Sequence, residues 1–316
     1  MAEVPSSGPA GPVAEEEPVA AREIREVGGH GWSLRRWPAS SSQRAASDRL
    51  PLFVALHGFA GAGDDFAPLI CGEHRLPGEW LTVDVLGHGR SAAPEPVAGV
   101  GYEMPRVAAA LSELLAAVVC RPYILVGYSM GGRLALSALL GSIGGAPRPR
   151  PRGLILVGAS PGIADPQRRA QRREEDEALA AKILARGIPW FADYWAQRPV
   201  LAGKRRIAAR HRDAMEERLR RQRPDGLAGS LRGMGTGAMP PLWDHLGRLE
   251  VPTLLVAGAE DRKFAAIAAE LRAKTGAKTR AAEMSVLAGV GHTAHLEDPS
   301  AFGAAVEAWW RRNLSS

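Results

Sequence analysis

A serine between two glycines, in the string Gly-Tyr-Ser-Met-Gly at residues 127–131, is the strongest candidate for chemistry in this chain. The string follows the apolar run 124–126 and precedes a helical pattern, so we predict a strand, a sharp turn and a helix. Flanking glycines suit a turn that leaves no room for a Cβ atom. We interpret Ser129 as a nucleophile or base lifted above the strand end, although a serine that only caps a helix has the same local pattern.

A reactive serine needs an imidazole that accepts its proton, and histidines after a late strand are the candidates. His292 and His295 both follow the strand predicted at 284–288. We favour His292 because it comes directly after Gly291, closest to the end of the strand.

The imidazole in turn needs a carboxylate that fixes its tautomer. Glu260 and Asp261 follow the strand predicted at 253–257, and Asp244 precedes it. We favour Asp261 because it lies later in the loop, with Asp244 a poor third candidate. The chain order serine, acid, histidine is one that sites of this type use.

Backbone N–H groups near the serine would stabilise a developing oxyanion. The residue after the nucleophile, Met130, supplies one such donor in this strand-turn-helix arrangement. The Gly-rich loop after the strand at 52–56 supplies the second, and Phe59 is the donor that its position indicates.

Arg133 lies four residues after Ser129, one turn along the same predicted helix. Its planar guanidinium can bind a carboxylate through two hydrogen bonds, which indicates an anionic substrate. An arginine on the helix surface, or one in a buried ion pair, would explain the same position.

Alternating strand and helix patterns surround these residues and predict their framework. Continuous apolar runs indicate strands covered on both faces, hence a mostly parallel α/β sheet with helices on both sides. The Gly28-Gly29 pair predicts a type I′ hairpin ahead of the sheet. The predicted strands are 22–27, 30–37, 52–56, 80–85, 124–126, 154–157, 253–257 and 284–288, and the predicted helices are about 104–119, 130–141, 264–274 and 299–313.

The alternation stops between about 164 and 245, where the chain is charged and helical. We therefore predict an α/β core formed by 22–163 and 246–316, an inserted helical cap at 164–245, and a disordered tail at 1–21. Residues 168–223 of the cap carry sixteen Arg or Lys against eight Asp or Glu. A positive lid of this kind favours an anionic small-molecule substrate.

Composition excludes several other classes of protein. The apolar fraction of 46% is sufficient for a sizeable core. No apolar segment resembles a signal peptide or a membrane span, so we expect a cytoplasmic location. The formal charge of +6 comes mostly from dispersed arginines without interleaved aromatic residues, which argues against nucleic-acid binding. Cys71 and Cys120 form neither a disulfide framework nor a metal site, so we expect reduced packing residues and no cofactor. The oligomeric state has no signature in the sequence.

From about residue 50 onwards the chain resembles one family, the menaquinone-pathway 2-succinyl-6-hydroxy-2,4-cyclohexadiene-1-carboxylate synthases, which have the α/β-hydrolase fold. The strings at 231–238 and 261–264 are the specific part of this resemblance. The HG, GxSxG and GH motifs are shared with many esterases. The matching strings are HGFAGAGDDF, DVLGHGRS, GYSMGGRLAL, GASPGI, FADYW, LRGMGTGAMPPLWDHL, GAEDRKF and GVGHTAHLEDP.

The resemblance implies a lyase that expels pyruvate from 2-succinyl-5-enolpyruvyl-6-hydroxy-3-cyclohexene-1-carboxylate, a tricarboxylate. Ser129, activated by His292 and Asp261, would act as base, and the oxyanion hole would hold the developing enolate. The chain differs from the family in two places: it has an extra N-terminal tail, and Met239 stands where the family usually has a glutamine. The resemblance further implies four substrate-binding residues, namely Arg133, Arg172, Tyr128 and Tyr194.

Two other functions are compatible with the same residues. A serine esterase or carbon–carbon bond hydrolase would use the same triad but would form an ester with Ser129. A non-catalytic binding protein of this fold is disfavoured by the presence of all three triad residues.

Overall fold

The computed structural model describes residues 21–41, 43, 50–94, 101–141, 149–275 and 282–314. The predicted tail lies outside these residues, except that Ala21 already belongs to the first strand. Strands β1 (Ala21–Val27) and β2 (His30–Trp37) form the expected hairpin. Gly28 and Gly29 have φ of 60° and 74°, as a type I′ turn requires, so the hairpin prediction is confirmed.

Eight strands form one sheet in the order β1-β2-β4-β3-β5-β6-β7-β8. The hairpin pairs antiparallel with β4, and all later neighbours are parallel, which confirms the predicted α/β class. The strand predicted at 80–85 ends at Val83, because the N–H of Val85 donates to the ring of His57 instead of to a strand. The remaining strands are β3 (Leu52–Leu56), β4 (Glu79–Val83), β5 (Ile124–Tyr128), β6 (Gly153–Val157), β7 (Thr253–Gly258) and β8 (Glu283–Leu287).

Helices cover both faces of the sheet, because successive side chains of each central strand point to opposite sides. Val54 and Leu56 of β3 pack in one hydrophobic cluster, whereas Phe53 and Ala55 pack in another. The helices are α1 (Ala67–Ile70), α2 (Met104–Val118), α3 (Met130–Leu140), α4 (Pro166–Ala196), α5 (Ala209–Arg220), α6 (Pro224–Met234), α7 (Arg262–Lys274), α8 (Ala294–Glu297) and α9 (Pro299–Asn313), with 3₁₀ helices at Gly63–Phe66, Pro199–Arg206 and Trp243–Arg248.

The segment between β6 and β7, described throughout, contains only helical elements. Its long helix α4 breaks at Gly187, whose φ of 77° is unfavourable for residues with a Cβ. Phe191 of this helix contacts Phe59 of the core, with ring centroids 6.0 Å apart, so the segment covers the loop after β3. The exact division into a core and a cap at 164–245 stays a prediction.

Membrane-spanning helices, metal-ligand clusters and the two cysteines can be checked in the described residues. No helix in the described ranges is long and apolar enough to cross a bilayer. The same residues contain no group of three His, Cys, Asp or Glu side chains arranged to hold a metal ion. Both cysteines are free, but Cys120 is exposed, so the expectation that it is a packing residue was wrong.

Candidate active site

Ser129 occupies a strained turn between β5 and α3. Its φ of 50° and ψ of −107° lie in a region that residues with a side chain rarely adopt. Both flanking glycines are needed for close packing. A Cβ on Gly127 would lie 2.5 Å from the Cα of Gly132, and one on Gly131 would lie 2.1 Å from the carbonyl oxygen of Leu56. The hydroxyl is therefore held above the end of the strand.

The structure brings together the three residues favoured from the sequence. The Nε2 atom of His292 lies 3.1 Å from the Oγ atom of Ser129, and its Nδ1 atom lies 2.6 Å from Oδ2 of Asp261. An ionised carboxylate only accepts, so Nδ1 carries the proton and Nε2 is free to accept the serine proton. Asp261 also caps α7 by accepting from the N–H of Phe264 at 3.4 Å, which starts that helix two residues earlier than predicted.

The rival candidates have other positions. Glu260 pairs with Arg206 at 2.5 Å, whereas His292 is bonded to Asp261, and Asp244 is exposed. The ring of His295 is buried and packs 4.6 Å from the ring of Tyr128. Burial lowers the pKa of His295 from 6.5 to about 3, so this ring stays neutral in the folded protein.

A buried carboxylate, Glu297, holds the backbone on both sides of His292. It accepts hydrogen bonds from the N–H of Gly291 at 2.7 Å and from the N–H of Thr293 at 3.0 Å. Arg206 then links this carboxylate, at 3.2 Å, to Glu260 in the loop that carries Asp261. Sequence reasoning missed both residues, because a single acid in a short helix and one arginine among many give no specific signal.

The two predicted oxyanion donors border the serine. A Cβ on Gly58 would lie 3.5 Å from the Cβ of Ser129, which places this loop directly beside the hydroxyl. The carbonyl of Gly58 accepts from the N–H of Gly61 at 3.0 Å and from Nδ1 of His57 at 2.8 Å. In a trans peptide the C=O and N–H groups point in opposite directions, so the N–H of Phe59 points away from these partners. Met130 is the first residue of α3, where helical N–H groups have no helical acceptor. Their catalytic role stays a prediction.

A cavity of about 400 Å³ opens beside the Ser129 hydroxyl, a size typical of small-molecule sites. Residues of the sheet loops and of the segment between β6 and β7 line it together. Among the described residues the lining contains five cationic side chains and three carboxylates, so the cavity is positively charged. These are Arg133, Arg172, Arg198, Lys204 and Lys263 against Asp65, Glu175 and Asp176.

Arg133 and Arg172, both predicted to bind substrate, lie on the same side of the cavity. Arg133 is buried and donates from Nη2 to the carbonyl of Met234 at 3.2 Å, while its Nε atom has no partner among the described residues. Burial and the nearby charge of Arg172 lower the pKa of Arg133 to about 10. Arg172 pairs with Asp176 at 2.9 Å. Burial raises the pKa of Asp176.

The two predicted aromatic positions also line the cavity. The Tyr128 hydroxyl lies 3.4 Å from Oγ1 of Thr293, and burial raises the pKa of this phenol. Tyr194 stacks on Trp190, with ring centroids 5.2 Å apart. Met239, the departure noted above, is fully buried in the hydrophobic core and does not line the cavity.

Along most of its length the chain is similar to a known family and to named relatives. The profile of the alpha/beta hydrolase family matches residues 53–305. A relative from Photorhabdus laumondii named 2-succinyl-6-hydroxy-2,4-cyclohexadiene-1-carboxylate synthase is 31% identical over 259 residues, covering 81% of this chain and 84% of the relative. A relative of the same name from Serratia proteamaculans is 32% identical over 264 residues, covering 83% of this chain and 93% of the relative.

A solved structure gives the same result in three dimensions. MenH from S. aureus matches with a TM-score of 0.76 and 26% identity, covering 89% of this chain and 98% of that chain. The match to the alpha/beta hydrolase family, over residues 53–305, includes the serine, acid and histidine loops and the helical segment between them. The chain therefore belongs to the alpha/beta hydrolase family and, within it, to the family of 2-succinyl-6-hydroxy-2,4-cyclohexadiene-1-carboxylate synthases.

Proposed function

We propose that this protein converts 2-succinyl-5-enolpyruvyl-6-hydroxy-3-cyclohexene-1-carboxylate to 2-succinyl-6-hydroxy-2,4-cyclohexadiene-1-carboxylate and pyruvate, a lyase step of menaquinone biosynthesis. The names of the substrate and the cyclohexadiene product define which bonds change. Ring carbon 2 loses a proton and ring carbon 5 loses the enolpyruvyl oxygen, while the 3,4 double bond is replaced by double bonds at 2,3 and 4,5. The leaving group departs as the enolate of pyruvate and takes up a proton.

The observation that carries this proposal is the hydrogen-bonded relay of Ser129, His292 and Asp261 at the wall of a positively charged cavity. The proton to be removed is acidic because it lies next to the succinyl ketone. Ser129 takes that proton as its own proton passes to Nε2 of His292, and Asp261 stabilises the imidazolium that results. Elimination needs no acyl-enzyme, so the serine acts as a base.

The negative charge that develops on the ketone oxygen needs donors beside Ser129. The N–H groups of Phe59 and Met130 are the groups that we propose for this role, by position in the turn and in the loop after β3. The carboxylates of the substrate need cations, and Arg133 has the geometry for one of them. Its guanidinium is buried and keeps N–H groups without partners among the described residues, so a bound carboxylate would satisfy them.

The test is release of pyruvate from the enolpyruvyl substrate, followed with a coupled dehydrogenase assay. We expect turnover by the native protein and a loss of about 10³-fold or more in Ser129→Ala, because the members of a triad fail together. Native protein that releases no pyruvate above background would overturn the proposal. Rapid turnover of p-nitrophenyl esters through a covalent Ser129 intermediate, without pyruvate release, would instead identify a serine esterase.

A further inference from the structure

Lys204 lines the cavity from the 3₁₀ helix Pro199–Arg206, and nothing in the sequence patterns pointed to it. Within the described part of the chain its ammonium group makes no hydrogen bond or ion pair. The nearest acid that influences it, Asp65, is already paired with Arg218 at 2.8 Å and accepts from the N–H of Ala62 at 3.1 Å.

The backbone of Lys204 is fixed next to the loop that carries His292. A Cβ on Gly203 would lie 2.2 Å from Oε1 of Glu297, so the 3₁₀ helix packs directly on the acid that holds that loop. Arg206 adds an ion pair to the same carboxylate at 3.2 Å. Lys204 therefore enters the cavity from the α8 side, whereas Arg133 enters from the side of α6, where it bonds to Met234.

The two sides have the same balance of charge. On one side Arg133 and Arg172 face the single carboxylate of Asp176. On the other side Lys204 and Arg218 face the single carboxylate of Asp65. Counting only these groups, each side retains one positive charge in excess, and Arg198 and Lys263 against Glu175 add one more to the cavity lining.

Burial disfavours the charged forms of both Arg133 and Lys204. It lowers the pKa of Lys204, and the Asp65 carboxylate opposes this shift only in part. Away from bulk water a charge interacts more strongly with an added counter-ion, so an anion placed between these groups would be bound more tightly than at the surface.

We propose that Lys204 forms a second carboxylate-binding subsite, so that two carboxylates of one substrate are held on opposite sides of Ser129. This arrangement would fix the substrate at both ends and leave its reacting carbon between them, at the hydroxyl. The identity of the substrate in this inference rests on the proposed function. Binding of a polycarboxylate beside Lys204 does not depend on that function.

The kinetic test compares Lys204→Met with the native protein in the pyruvate assay. We expect KM to rise about tenfold or more, because a charge pair with a half-buried lysine is lost, with a smaller effect on kcat. Lys204→Arg, which keeps the charge, should recover most of the loss. The matched control is Lys182→Met on the exposed face of α4, which should behave like the native protein. A KM in Lys204→Met within threefold of the native value would overturn the subsite.

A second measurement separates the subsite from the proposed reaction. An organophosphonate labels Ser129, and propane-1,2,3-tricarboxylate should slow this labelling by occupying the cavity. The concentration required should rise about tenfold or more in Lys204→Met, relative to its own labelling rate without the anion. That result in a protein that releases no pyruvate would support the subsite and refute only the lyase proposal. Equal protection of native and variant proteins would refute the subsite. Thermal unfolding checks the fold, and Lys204→Gln replaces the methionine variant if cooperative unfolding is lost.

Discussion

Replacing Arg133 by methionine should stabilise the protein while it impairs the enzyme. The guanidinium is buried, and burial together with Arg172 lowers its pKa to about 10. One pKa unit corresponds to about 1.4 kcal/mol, so keeping this charge in the folded protein costs about 3 kcal/mol. The group is charged at pH 7 in both the folded and the unfolded chain. The cost is therefore fully present at neutral pH and is relieved only as the pH rises above 10.

Methionine has a similar length and no charge, so it removes that cost. The variant also loses the hydrogen bond to the carbonyl of Met234, which contributes about 1 kcal/mol. Arg172 and Asp176 remain as a balanced pair. We therefore expect the free energy of unfolding to increase by about 2 kcal/mol in the absence of substrate.

The same change removes the guanidinium that we propose to bind a substrate carboxylate in the cavity. Truncating one partner of a buried charge pair costs about 2–5 kcal/mol, so kcat/KM for the tricarboxylate should fall about 30-fold or more. The free energy of unfolding is measured with urea, using tryptophan fluorescence, and the activity by pyruvate release. The matched control is Arg106→Met on α2, an arginine with a side chain that is 66% exposed, for which both quantities should stay close to native values.

Two outcomes would refute this reasoning. A clear loss of stability in Arg133→Met would mean that partners in the folded protein compensate the buried charge. An unchanged kcat/KM would mean that no substrate carboxylate reaches the guanidinium.

Two further predictions concern the triad loops and pH. Arg206→Gln removes the ion pairs that link Glu260 to Glu297, so the loops that carry Asp261 and His292 can separate. We expect kcat to fall by up to about 100-fold in the pyruvate assay. A change in kcat below twofold would argue against this coupling of the two loops. Burial lowers the pKa of both His88 and His295 from 6.5 to about 3, so the unfolded chain binds more protons than the folded one below pH 6.5. The free energy of unfolding should therefore fall as the pH drops from 6.5 towards 3, by about 1.4 kcal/mol per pH unit for each histidine once it is protonated in the unfolded chain. Urea unfolding at pH 7 and pH 5 measures this slope, which His295→Phe should reduce, and an unchanged slope would contradict the assignment.

Several features of the site could be predicted because they depend on short-range chemistry. The turn at Ser129 needs small neighbours whatever the rest of the fold does, so two glycines at fixed spacing identify it. Buried parallel strands need continuous apolar runs, so the strands that end at the acid and histidine loops were found within one or two residues. Because functional loops of such a sheet follow its strand ends, their place in the sequence indicated Asp261 and His292.

Other features depend on contacts between distant residues. His292 and His295 are three residues apart, and only packing decides that one ring meets Ser129, 163 residues away, while the other is buried against aromatic rings. The ion pair of Arg206 with Glu297 joins residues 91 apart, and local sequence carries no trace of it.

The sequence by itself therefore determined the strand-turn-helix and the alternating framework and indicated which serine, carboxylate and imidazole lie together, because backbone sterics and hydrophobic patterning act over a few residues. Only the tertiary structure decided which cations reach the cavity. The segment between β6 and β7 is rich in arginine and lysine, and many of these side chains are exposed or pair with carboxylates of the same helix. Lys204 is half-buried and has no hydrogen-bond or ion-pair partner among the described residues, and this combination is a property of the folded chain and not of its composition.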